Sequence, residues 1–100
     1  MLFHVAWTRR DNGASEEADQ RILAILEKFT PPDGLTVQSW LERVDGMGGF
    51  AVLETDDTNA LAASFPIFAP YFAYEATPVI PHDDSVSALR AAVAFRDGVS

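Results

Sequence analysis

The chain has 100 residues, 48% of them apolar, with no cysteine and a formal charge of −8. That length is one domain with a thin core, and the apolar share lies well above the disordered range. Without cysteine there is no disulfide framework, thiolate metal site or cysteine nucleophile; the negative charge argues against nucleic acid or an anionic membrane surface as partner.

Residues 2–8 read as a strand. Side chains alternate across a strand, so Phe3, Val5 and Trp7 share one face, and Leu2, His4, Ala6 and Thr8 the other. His4 interrupts the run and Arg9-Arg10 follows it, whereas a secretory signal has its charge first and a longer apolar stretch. Asp11-Asn12-Gly13 turns the chain, because Asn and Gly tolerate positive φ. Ser15 then caps a helix with Glu16 and Glu17 in its first turn, where the helix dipole favours acids. Ala18, Ile22, Ile25, Leu26 and Phe29 recur at helical spacing and make one apolar face. Pro31-Pro32 cannot continue that helix, and Asp33-Gly34 turns the chain again.

Residues 35–44 form a second strand, with Thr36, Val37, Trp40 and Val44 as β-formers. Asp45-Gly46-Met47-Gly48-Gly49 is a glycine-rich hairpin connection. It is no phosphate cradle, since it lacks the Lys-Ser/Thr pair and joins two strands. Residues 50–55 are the third strand, apolar almost throughout, as expected for a strand covered on both faces. Asp56-Asp57-Thr58-Asn59 opens a second helix that continues over 60–65, and Pro66 breaks or kinks it. Residues 71–80 are the fourth strand, where Pro78 points to an edge or a bulge. Asp83-Asp84-Ser85 caps a last helix over 86–97, which stops at Gly98. No apolar run approaches the ~18 residues of a membrane span, and no period repeats. The expected address is the cytoplasm.

The order β-α-β-β-α-β with a terminal helix is the ferredoxin-like split βαβ pattern, an α+β fold with a four-stranded antiparallel sheet. Two helices cover only one face of such a sheet. Strands three and four look apolar on both sides, so a second covering is needed. A second copy of the chain, stacked sheet on sheet, supplies it as a homodimer.

The run Gly49-Phe50-Ala51-Val52-Leu53-Glu54-Thr55-Asp56-Asp57, followed by Ala60-Leu61, looks like a block found in small dimeric α/β-barrel proteins. Tyr74-Glu75-Ala76-Thr77-Pro78-Val79-Ile80, the start Met1-Leu2-Phe3 and the pair Ser39-Trp40 strengthen the likeness. Over about residues 1–80 the chain resembles domain-of-unknown-function family 3303. The resemblance implies a ferredoxin-like domain over 1–80 that dimerises sheet to sheet, with 81–100 as a helical extension. It implies no activity. The wider superfamily includes cofactor-independent monooxygenases, isomerases, cyclases and haem enzymes, and fold alone does not choose among them.

Three groups of residues are candidates for chemistry. His4 sits mid-strand, opposite Phe3, Val5 and Trp7, and histidine moves protons near neutral pH. The alternative is a histidine satisfied within a core or interface. Glu54 ends strand three just before a helix start, where a buried carboxylate would be a base with a raised pKa. Otherwise it pairs locally or faces water. The third group is Trp7, Trp40, Phe65, Phe68, Tyr71, Phe72 and Tyr74. Five of these crowd between Phe65 and Tyr74 around two prolines. They suit either a pocket for a flat apolar ligand, with Tyr71 or Tyr74 as a polar tip, or a core and dimer contact.

His82 beside Asp83-Asp84 suggests a metal, but adjacent loop residues seldom converge on one ion, so no metal is expected. No haem, flavin or nicotinamide motif and no nucleophile elbow is present, so no cofactor is expected. The residues point to a small cofactor-independent enzyme or binding protein. Its ligand would be a compact aromatic or polyketide-like molecule, held between sheet and helices. Two rivals remain: a non-catalytic dimeric module, and an accessory subunit whose terminal helix docks on a partner.

Overall fold

The computed structural model describes residues 1–99. Four strands form one sheet: β1 (Leu2–Arg9), β2 (Leu35–Glu42), β3 (Gly48–Thr55) and β4 (Phe72–Val79). Their order is β2-β3-β1-β4, with every neighbour antiparallel. Helix α1 (Glu16–Lys28) joins β1 to β2, helix α2 (Thr58–Phe68) joins β3 to β4, and α3 (His82–Val99) closes the chain. This is the α+β ferredoxin-like arrangement read from the sequence. β4 with its Pro78 lies at the sheet edge, where a missing N–H costs no ladder bond.

Alternation along β1 sets the layers. Phe3, Val5 and Trp7 are buried, while Leu2, His4 and Ala6 between them are half-buried. The buried set joins Ala51, Leu53 and Leu61 in the core beneath α1 and α2. Both helices begin on side-chain caps. Ser15 Oγ accepts the Ala18 N–H at 3.0 Å, and Asp57 Oδ1 accepts the Asn59 N–H at 2.9 Å. The Arg9 guanidinium ties the end of β1 to the start of α1. It donates to Asp11 at 2.9 and 3.0 Å, and to Asp19 in the first helical turn.

Several boundaries differ from the sequence reading, each for a local reason. β2 ends at Glu42, two residues short of 44, because Arg43 begins the hairpin turn. Gly46 N–H donates to the Arg43 carbonyl at 3.0 Å, with Gly46 at φ +73°. β3 begins at Gly48 because both glycines belong to the ladder. Pro66 does not end α2, which runs on to Phe68. Proline removes the bond to the carbonyl of Ala62, and both residues are exposed, so that carbonyl stays open to solvent. Burial of Phe68 on the opposite side favours the last turn.

β4 begins at Phe72, because Tyr71 sits in a turn with its N–H donating to the Phe68 carbonyl at 2.9 Å. α3 starts at His82, where the Pro81 carbonyl accepts the Asp84 and Ser85 N–H groups, and it continues past Gly98.

The sheet face away from α1 and α2 is the unexpected part of the surface. Leu2, His4, Ala6 and Val52 are half-exposed there, and Phe50 and Leu41 are 38% and 55% exposed. α3 does not cover them, since it buries none of its described residues. Instead it stands away from the body. The radius of gyration is 17.9 Å, against roughly 13 Å for a compact chain of this length. Among the described residues, no helix is long and apolar enough to cross a membrane.

Candidate functional site

One row of residues crosses the helix-covered face of the sheet: Glu42, Gly49, Trp7 and Tyr74, on β2, β3, β1 and β4 in turn. Gly49 has no side chain, so the Trp7 indole reaches across β3 towards β2. Trp7 Nε1 donates to Glu42 Oε2 at 3.4 Å, and Trp40 Nε1 donates to Glu42 Oε1 at 2.8 Å. A Cβ on Gly49 would stand 2.8 Å from Glu42 Oε2 and 2.4 Å from the Leu41 carbonyl oxygen. The carboxylate and the missing side chain are therefore one design.

A β-bulge brings Trp40 to the same face. The register shifts between Val37 and Ser39, so that Val37 pairs with Leu53 while Trp40 pairs with Ala51. Strict alternation from Val37 would put Trp40 on the far side of the sheet. The extra residue turns it inward, and the small Ala51 beside it leaves room for the ring.

These rings line a cavity of about 90 Å³ between the sheet and the two helices. Ile22 and Leu26 of α1 and Phe65 and Phe68 of α2 form its roof. The rings meet edge-on or tilted, as aromatic quadrupoles favour. Trp7 and Trp40 lie 5.9 Å apart, Phe29 and Phe68 5.2 Å, and Phe65 and Tyr74 5.2 Å. Leu26 and Trp40 remain 42% and 41% exposed, and Glu42 is exposed too, so the cavity opens between α1 and the end of β2. Among the described residues lining it, Glu42 is the one with a charged side chain.

Tyr74 is the other titratable group in the wall. Burial pushes its phenol well above the ordinary 10.0, and the Glu42 charge adds to the rise. The sign follows from linkage: the folded state holds the proton longer than the unfolded chain. Stability from this group is complete below about pH 10 and falls as pH rises beyond it. An alkaline titration of tyrosine absorbance should show a late component that survives until unfolding. Tyr74→Phe should remove that component and flatten the alkaline loss of stability. An unchanged profile in Tyr74→Phe would contradict this assignment.

Six of the seven aromatics singled out from the sequence line the cavity: Trp7, Trp40, Phe65, Phe68, Phe72 and Tyr74. Tyr71 lies outside, in the turn before β4. His4 and Glu54 are on the opposite face. The His4 ring stacks on Phe50 at 5.3 Å, and the exposed Glu54 accepts from Gln38 Nε2 at 2.8 Å. The sheet thus separates both catalytic candidates from the aromatic cavity. His82, Asp83 and Asp84 occupy the exposed first turn of α3.

Glu42 was missed by the sequence reading. Its signal is its place two residues after Trp40, which puts both on one face whichever face that is.

Against known proteins, no curated protein matches this chain. A family model described as a domain of unknown function, DUF3303, matches residues 1–93, past residue 80 and well into α3. With the match spanning nearly the whole length, the chain belongs to the DUF3303 family.

Proposed function

We propose that this protein is a homodimeric binding protein for a compact aromatic molecule, held in the cavity between sheet and helices. The observation that carries the reading is the ring-lined cavity with a carboxylate fixed at its mouth by two indole N–H groups. At about 90 Å³ it is far smaller than drug-sized pockets of roughly 300–1,000 Å³. It suits a single ring whose substituent projects through the open side. Each ring-on-ring contact would add about 0.5–1.5 kcal/mol beyond simple burial. Binding is favoured over turnover because His4, the proton-transfer candidate, lies across the sheet from the cavity. The second copy covers the apolar face that carries Leu2, Leu41, Phe50 and Val52, which a lone subunit leaves to water.

Trp7 and Trp40 are the only tryptophans in the sequence, and both line the cavity. Intrinsic fluorescence therefore reports on it directly. Titration with benzyl alcohol should change tryptophan emission saturably. Ser64→Leu, which extends a wall residue into the space, should abolish the change while the fold persists. A response that does not saturate, or that survives Ser64→Leu, would overturn the reading.

A further inference from the structure

We propose that the cavity selects a ring bearing a positive charge, an arylalkyl ammonium, over neutral and acidic analogues; this rests on the cavity being a ligand site. Glu42 supplies the argument. Each of its oxygens already accepts one indole N–H, at 2.8 and 3.4 Å, and each keeps further lone-pair capacity. Indole N–H groups are donors only. Every polar group in the Trp7–Glu42–Trp40 cluster is thus committed in a way that leaves only acceptor capacity, all of it on the carboxylate. A ligand that meets this cluster must donate.

Charge narrows the choice further. Among the described residues lining the cavity there is no Lys, Arg or His. An anionic ligand would face Glu42 with no counter-charge, whereas an ammonium would pair with it. The walls favour the same sign, since the faces of Trp7, Trp40 and Tyr74 attract cations. The whole chain, at −8, draws cations and repels anions at longer range. The geometry also sets where the charge sits. The rings are inside, and Glu42 stands at the open rim, so the ammonium is separated from the ring by a short linker and stays partly hydrated. That hydration keeps the preference moderate.

The experiment compares benzylamine, benzyl alcohol and benzoate at pH 7 by calorimetry and tryptophan fluorescence, in the wild type and in Glu42→Gln. Benzylamine should bind about tenfold more tightly than benzyl alcohol, the scale of a partly solvated cation–π and ion-pair contact, with benzoate weakest. Glu42→Gln keeps an acceptor for one of the two indoles and removes the charge, so the ratio of amine to alcohol affinity should fall to about one. High salt should weaken the amine more than the alcohol. Equal affinity for all three probes in the wild type would overturn the charge preference while leaving the aromatic site standing. A preference that persists in Glu42→Gln would also overturn it. Absence of saturable binding by any probe would overturn both proposals.

Discussion

Gly49→Ala is expected to lower stability by about 3 kcal/mol, the upper range for overpacking a filled site. The methyl would meet the Leu41 carbonyl oxygen at 2.4 Å, Glu42 Oε2 at 2.8 Å and Glu42 Cα at 3.0 Å. The carboxylate can swing away, but the two backbone atoms belong to the β2–β3 ladder and cannot yield without opening it. Two losses should therefore appear together. The urea midpoint falls with its slope unchanged, and the Trp7–Glu42–Trp40 cluster is broken, so binding of a ring ligand is lost. Gly98→Ala supplies the contrast. A Cβ there meets nothing within 4 Å inside α3, so this substitution should be neutral or stabilising by under about 1 kcal/mol. Equal midpoints for the two variants would refute the close-approach argument.

Phe50→Asp is the second large effect, and it acts on assembly. Phe50 lies on the sheet face away from the helices, 38% exposed, with its ring on His4. It contributes nothing to the core of Phe3, Val5, Trp7, Ala51, Leu53 and Leu61. A charge placed there leaves the subunit folded. In a stacked dimer it would be buried without a partner, at a cost of about 2 kcal/mol or more, roughly thirtyfold in dimer affinity. Light scattering on the eluting protein should give two copies for the wild type and one for the variant, with similar circular dichroism. Two copies in both would move the dimer contact to another surface, with α3 and its exposed Leu89 and Phe95 the next to test.

The sequence and the structure agree best where one local rule acts alone. Alternation in β1 placed Phe3, Val5 and Trp7 together, and Ser15 capped α1 as its hydroxyl predicts. Agreement ends at some element boundaries. Pro66 reads as a break or a kink, and α2 runs through it to bury Phe68; Gly98 reads as a stop, yet the exposed α3 continues past it. The aromatic lining of the candidate site was legible because rings crowding around prolines must be buried somewhere. Its polar half was not. Glu42 gains its role from a bulge at Gln38, which sequence alternation does not reveal, and from the missing side chain of Gly49 on the adjacent strand. His4 could be assigned to the face opposite Trp7, but nothing in the chain said which of those faces the helices would cover.

In the proposed complex a ring lies between the sheet and the helices and not on the bare sheet face. Nuclear magnetic resonance of nitrogen-labelled protein separates the two locations, because the chain has two indole N–H signals, Trp7 and Trp40, both on the cavity. Benzylamine should shift both signals along one saturating curve while the His4 ring signals stay in place. Movement of His4 with both indole signals unchanged would put the ligand on the bare sheet face instead.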